Sequence, residues 1–375
     1  MNKGYHLTLL IGPAVPLPVP RAVLEALESV EVHAGAGERS GFRLSFNVSN
    51  KNPLHTLLLL VPAQVPWLRV IVVVTVNGMP NVLMDGVVTK QDLTPGQQAG
   101  HSLLTLTGED LSAVMDQQEF SGIPYPAMPP EARVALIVAK YAMFGMIPLV
   151  VPAIFKDISV PTVRYDSHQG TDLGYINQLA HDAGHVFYVE PGPAPGINTA
   201  YWGPEIKVGV PQPALNADLD NPFTNVESLS FDFDNIRREL PVVFIQNQMT
   251  RIPIPLPIPD ISLLNPPLGA LQPLPKKINF MKDTAKLSPM AALGKGLAAA
   301  ARSTDTVSGS GSLDVVRYGH VLKSRSLVGV RGAGMAFDGL YYVKRVASTI
   351  KRGSFKQSFN LTRNGLVSIT PAVPA

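Results

Sequence analysis

Residues 341–366 read YYVKRVASTIKRGSFKQSFNLTRNGL, two alternating strands folded over the turn Lys351-Arg352-Gly353-Ser354. Gly353 supplies the positive φ that such a tight turn needs. In the second strand Phe355, Phe359 and Leu361 fall on one side and Lys356, Ser358, Asn360 and Thr362 on the other. That period of two predicts a half-buried β-hairpin.

Working outward, the first 120 residues have the same character. Phe42, Leu44, Phe46 and Val48 alternate with polar residues, Val70 to Val76 is a continuous Val-rich strand, and Val82–Val88 and Ser102–Thr107 follow. Asn77-Gly78 and Pro95-Gly96 mark turns between them, the punctuation of a barrel or sandwich. Residues 121–215 read as mixed α+β: a buried amphipathic helix over Glu131–Met146, a second over Asp172–Ala183 capped by Thr171 and stopped by Gly184, then a strand at Val186–Val189. β alternation resumes at Leu229, Phe231 and Phe233.

Residues 252–278 carry eight prolines, which allow polyproline II or extended chain but neither helix nor central strand. An Ala-rich helix over Met290–Arg302 and a Ser308-Gly309-Ser310-Gly311-Ser312 joint follow. Two pairs of strand words recur in order: Phe42–Asn50 with Glu227–Asn235, and Leu104–Leu111 with Phe359–Leu366. Leu44 and Leu106 are 62 residues apart, Leu229 and Leu361 132 apart; the excess of 70 is close to the length of the stretch from about 252 to 312. The chain therefore reads as mainly β with α+β insertions: one β unit at 1–120, a mixed domain at 121–215, a second copy of the β unit at 216–251 and 313–370, and an insertion at 252–312.

Composition narrows the function. Charged residues are 16% of the 375 against 46% hydrophobic, a lean exterior that fits one covered by partners or sister subunits. With no cysteine, disulfides, thiolate zinc sites and a Cys nucleophile are excluded, and folding in a reducing cytoplasm is the simplest reading. Leu7–Ile11 is too short for a signal-peptide core and is followed by Pro13, Pro16, Pro18 and Pro20, so no secretion signal is read. Val134–Phe155 has a single charge, Lys140, but Pro148 and Pro152 argue against a membrane span. From Val315 to the end there are ten basic residues and one acidic, Asp338, so this segment is +9 and the rest of the +3 chain is −6, a split that favours an acidic partner surface.

Candidate chemistry is sparse. His181 and His185 have zinc-helix spacing, yet Asp182 stands where the metalloprotease pattern has Glu, and Gly184 should end the helix before His185. Gly329–Met335 lies in β context, Gly294-Lys295 lacks phosphate-loop spacing, and neither Glu109/Asp110 nor Asp232/Asp234 pairs an acid with a base. No catalytic, cofactor-binding or metal residue is assigned, and the chain is read as no enzyme. A nucleic-acid module is the main alternative, because Tyr341, Tyr342, Phe355 and Phe359 interleave with Lys and Arg; a His-dependent metallohydrolase is a weaker one.

The hairpin words, YDSHQGTDLGYINQLAHDAGHVFYVEPG at Tyr165–Gly192 and EVHAGAGERSGFRLSF at Glu31–Phe46 together resemble the phage late control D family, the baseplate hubs of contractile tails and contractile injection systems. The resemblance implies two similar antiparallel, tail-tube-like β-barrel units per chain. It further implies a homotrimer that matches a threefold spike to a sixfold inner tube and nucleates tube assembly. The implied partners are a separate spike protein, since nothing after Gly365 reads as a spike domain, an inner-tube or tube-initiator protein, and other baseplate components. No cofactor or stable membrane insertion is implied. Such a protein assembles in the bacterial cytoplasm and ends in a virion tail or injection particle. The proline-rich insertion has no counterpart in the resemblance, and its role is left open between projecting from the ring to contact the baseplate and forming a sleeve.

Overall fold

The computed structural model describes residues 4–13, 15–48, 65–96, 102–153, 166–217, 224–246, 252–258, 266–282, 284 and 289–370. Asn50, Phe155 and Tyr165, and residues 259–265 of the proline-rich stretch, lie outside these. The N-terminal part comprises β1 (Tyr5–Gly12), β2 (Leu17–Pro18), α1 (Arg21–Ala26), β3 (Leu27–Gly35), β4 (Gly41–Val48), β5 (Arg69–Val76), β6 (Met79–Pro95) and β7 (Ser102–Asp110). In β4 the alternation holds: Phe42, Leu44, Phe46 and Val48 are buried while Arg43 and Asn47 are exposed. The Val-rich β5 is buried on both faces because the middle unit covers the side turned away from the main core. Asn77 and Gly78, at φ 50° and 83°, make the two-residue connection from β5 to β6.

The middle unit holds β8 (Pro124–Tyr125), α2 (Pro130–Ala139), β9 (Met146–Val150), β10 (Asp166–Ser167), α3 (Asp172–Ala183), β11 (Val186–Pro191) and β12 (Asn198–Gly203). Its own core includes Leu111, Ile137, Ile176, Val189 and Trp202. α3 matches the sequence reading at both ends, with Thr171 Oγ1 accepting from Gly174 N at 3.1 Å and Gly184 left-handed at φ 70°. The helix expected over Glu131–Met146 is shorter. α2 stops at Ala139, and Gly145 turns the chain at φ 74° into β9. A Cβ at Gly145 would lie 1.9 Å from Gly196 O, so the turn into β9 packs closely against a distant loop. No described helix is long and apolar enough to cross a membrane.

The remainder comprises β13 (Gln212–Asn216), β14 (Val226–Phe233), β15 (Glu239–Gln246), β16 (Pro253–Pro257), β17 (Gly269–Leu271), β18 (Lys277–Phe280), α4 (Pro289–Ser303), β19 (Val307–Asp314), α5 (Val315–Tyr318), β20 (Leu327–Arg331), β21 (Gly339–Lys351), β22 (Ser354–Arg363) and β23 (Leu366–Ser368). The opening hairpin is β21–β22, with Lys351 opposite Ser354 and Gly353 at φ 76°. Phe355, Phe359 and Leu361 are buried and Lys356, Ser358 and Asn360 exposed, but Thr362 is buried under the neighbouring strands.

The architecture is mainly β with α+β insertions, built on one 13-stranded sheet ordered β14-β19-β22-β21-β3-β4-β7-β6-β5-β1-β2, with β20 and β13 branching from β21. The two β regions join along β3 and β21, where Val30 faces Ile350 and Val32 faces Ser348, and they share one hydrophobic core. Counted outward from this seam, β22, β19 and β14 stand opposite β4, β7 and β6. The recurring strand words do not follow that symmetry, since β4 and β7 are neighbours whereas β19 separates β14 from β22.

The Gly/Ser stretch is not a joint. It is β19, an interior strand between β14 and β22, so the second β region resumes at Val307 rather than at 313. A Cβ on Gly309 would come 2.8 Å from the Phe231 ring, and one on Gly311 would come 2.4 Å from Ser228 O and 2.7 Å from the Phe359 ring. The glycines admit aromatic rings on one face, while on the other Ser312 and Ser310 bond to Ser228 and Ser230 at 2.8 and 3.0 Å.

Strands β16 and β18 of the insertion form a separate β16-β15-β18 sheet with β15, which is therefore not part of the main sheet although the sequence reading places 216–251 in the second β unit. β16 is an edge strand, as its prolines require: Ile258 N donates to Pro241 O, so alternate nitrogens face β15 and those of Pro253, Pro255 and Pro257 face outward. α4 packs its Gly296 on Val243 and Ile258 and its Ala298 on Gly184 of the middle unit. The insertion is therefore docked against the middle unit through α4.

Candidate functional site: the polar sheet face and the junction beneath it

One face of the main sheet is core and the other is polar. Register carries polar rows across the seam: Lys356, Thr349, Glu31, Arg43, Thr107 and Lys90 are successive cross-strand partners from β22 to β6. A second row runs Ser228, Ser312, Ser358, Ala347 and His33 from β14 to β3. Side chains this short and this mixed in charge give a broad, hydroxyl-rich wall rather than a pocket for one ligand.

The basic C-terminal segment is answered in part within the chain. Lys356 pairs with Glu227 at 2.8 Å and Arg345 with Glu38 at 3.4 Å, and the Arg352 guanidinium donates to Glu25 O. Arg363 is only 1% exposed; it lies over the Tyr341 ring at 4.4 Å and donates to Gly365 O, Asp338 O and Ala336 O. Phe355, Phe359, Tyr341 and Tyr342 are all buried, so none of these four rings offers solvent a platform for bases to stack on. The interleaving that favoured nucleic acid is core alternating with an intramolecularly paired surface.

The other sequence candidates are separated or structural. His181 stands on the exposed side of α3, 3.6 Å from Asp182, whereas His185 is buried edge-on against Trp202 with ring centroids 4.3 Å apart. Among the described residues no three His, Cys, Asp or Glu side chains converge as a metal site would need. Asp110 accepts from Ser40 N and Ser112 N, and burial pushes its carboxyl up; Glu109 instead holds Arg39 at 3.1 Å. Asp234 caps Ile236 N, and Asp232 is exposed on β14. Gly332 and Gly334 shape the turn after β20, where Ala333 N donates to Asp338 Oδ1 at 2.8 Å, and Gly294-Lys295 lies inside α4.

Sequence reasoning missed the residues that join the units. Arg69, 4% exposed at its side chain, donates to both Asp85 oxygens at 2.7 Å and to Phe144 O at 2.8 Å, and Asn198 Nδ2 donates to Asp85 at 2.8 Å. This clamp ties β5 and β6 to the middle unit. A second tie is Arg325, at φ 58°, which lies 4.1 Å over the Tyr188 ring and donates to Gly35 O at 2.6 Å. Beside it a cavity of about 320 Å³ is lined by Met84, Asp110, Glu190, Arg325 and Gln357, and burial raises the Glu190 carboxyl. Within the middle unit itself, the buried Asp172 is held by Lys140 at 3.0 Å and Tyr141 at 2.8 Å with His168 3.5 Å away. No local pattern marks these residues, because each partner comes from a different element.

Burial lowers the His185 imidazole to about 4. The folded chain keeps it neutral while the unfolded chain protonates near 6.5, so its contribution to stability is complete above that value and is lost as pH falls toward 4. Urea unfolding at pH 7 and pH 5 should differ by about 2 kcal/mol from this residue, and His185→Phe should remove that part of the difference.

No protein-family model and no curated protein matches the sequence. Solved structures do match. A tail protein of Neisseria meningitidis superposes with a TM-score of 0.63 at 14% identity, covering 97% of this chain and 98% of that one. The chain has the fold of phage tail proteins. A 43 kDa tail protein of prophage MuSo2 from Shewanella oneidensis gives 0.61 at 13% identity over 96% and 99% of the two chains. A chain of a Francisella PdpA-VgrG complex gives 0.58 at 9% identity, and there this protein spans 60% of the longer chain. The resemblance read from the strand words is thus matched at the level of fold.

Proposed function

We propose that the protein is a structural, non-enzymatic hub of a contractile tail or contractile injection system, working as a homotrimer between a spike and an inner tube. The observation that carries this reading is the end-to-end likeness in fold to tail proteins of the same size. Two features of the sheet support it. The polar rows between β14 and β6 suit a passage wall, and among the described residues the sheet ends are open: β14 pairs with β19 alone, and β1 beyond β5 meets the two-residue β2 at Leu10 and Ile11. Open edges in one chain are satisfied when copies join into a closed ring, and Glu227 and Asp232 on β14 discourage indiscriminate pairing meanwhile.

The spike and tube components are separate proteins in this reading, and the particle is the site of action. Electron microscopy of the whole particle with the chain labelled should place three copies in a ring between tube and spike. A different copy number, or a position away from the tube axis, would refute the adaptor role.

A further inference from the structure

The insertion sheet leaves an apolar face uncovered. α4 lies on the side of Val243 and Ile258, so the opposite side is formed by the alternate positions: Phe244 on β15, Pro255 and Pro257 on β16, and Ile278 and Phe280 on β18. Ile278 and Phe280 are each 59% exposed, and the Phe244 and Phe280 rings stack at 6.0 Å. Along β18 the same alternation begins with Lys276, and Lys282 follows two positions beyond Phe280; both are exposed, and among the described residues neither has an ion pair. On the other side of the strand Lys277 and Asn279 are already held by Glu239 at 2.7 and 2.9 Å. The face therefore has an aromatic and proline centre with uncompensated positive charge at two ends.

We propose that this face is a docking surface for another protein, one presenting an apolar patch rimmed by carboxylates. Apolar anchors inside a charged rim are the usual anatomy of a protein interface. Two lysines are fewer than the clusters of four to eight that draw a segment to anionic lipid, and the stacked rings and prolines make the face stiff and flat. The mode of docking is also constrained. Pro253, Pro255 and Pro257 leave the outward edge of β16 without N–H donors, so a partner strand cannot extend the sheet at that edge.

The hub reading enters only in choosing where the partner is sought. A photoreactive benzoylphenylalanine is placed at Phe280 in particles purified from producing cells, irradiated, and its adduct sequenced by mass spectrometry, with the same probe at exposed Leu136 as control. The expected adduct is to a different protein of the particle, at a segment containing Asp or Glu, and Lys276→Glu with Lys282→Glu should lower its yield at least fivefold without changing the Leu136 adduct. An adduct to a second copy of this chain, no adduct from particles that contain the chain, or an insensitive yield overturns the proposal. Binding of the isolated chain to phosphatidylglycerol/phosphatidylcholine vesicles that Phe280→Ser abolishes also overturns it, in favour of a membrane surface. Absence of the chain from the particles fails the hub reading; the docking proposal is then judged on the isolated chain, which must show neither self-adducts through position 280 nor vesicle binding. Ile278→Ser serves as the second variant, since an exposed strand position should leave the melting temperature unchanged.

Discussion

Asp85→Ala is expected to lower stability by about 3–5 kcal/mol, the cost of leaving one partner of a buried ion pair uncompensated. The Arg69 guanidinium would keep its bond to Phe144 O but lose both carboxylate oxygens, and Asn198 would lose its acceptor at the same point. The two side chains are 4% and 0% exposed, so bulk solvent does not screen the charge left behind. The effect should appear in the middle unit. Trp202 lies in the core of that unit and Trp67 packs against it, and these are the chain's two tryptophans, so urea unfolding followed by tryptophan fluorescence reads the unit directly. Replacing both partners by apolar residues, Arg69→Met with Asp85→Leu, should recover most of the loss, since the larger penalty comes from a lone buried charge. If Asp85→Ala unfolds within about 1 kcal/mol of the parent, the clamp is not what joins the units.

Gly311→Val should be comparably damaging for a steric reason. The new Cβ would sit 2.4 Å from a backbone oxygen of β14 and 2.7 Å from the Phe359 ring, and the strand cannot retreat because β14 and β22 hold it on both sides. Overpacking of this kind costs about 1–3 kcal/mol where side chains can yield, and more where backbone is struck. Ser312→Ala, on the same strand but on the polar face, should cost no more than about 1 kcal/mol for its lost hydroxyl pair with Ser228. A thermal melt that ranks the two variants the other way would show that the strand behaves as a linker after all.

The contrast between these two positions explains much of what was legible. Alternation in β4 and β22 was readable because one face of a strand meets core and the other solvent over many consecutive residues. α3 was readable at both ends because Thr171 and Gly184 act within their own turn. The Ser-Gly repeat was misread because flexible linkers and strands packed beneath aromatic rings share one composition, and only the positions of Phe231 and Phe359 distinguish them. The helix expected to reach Met146 ends at Ala139, and the turn that follows is fitted at Gly145 to the Gly196 loop, a contact no local pattern marks. Histidine spacing pointed at chemistry, but His181 and His185 face different surroundings once Gly184 turns the chain.

By itself the sequence determined the local conformations: which stretches extend, where α3 is capped, where Asn77-Gly78 and Gly353 reverse the chain, and that Pro253, Pro255 and Pro257 need an edge. These follow from side-chain period and φ preference, which act over a few residues. Tertiary structure alone decided that β3 and β21 join two β regions into one sheet, that Arg69 finds Asp85, and that the positive C-terminal segment spends part of its charge on Glu227 and Glu38. Pairings across tens to hundreds of residues are selected by burial and register in the assembled core, and no short-range pattern encodes which strand will arrive.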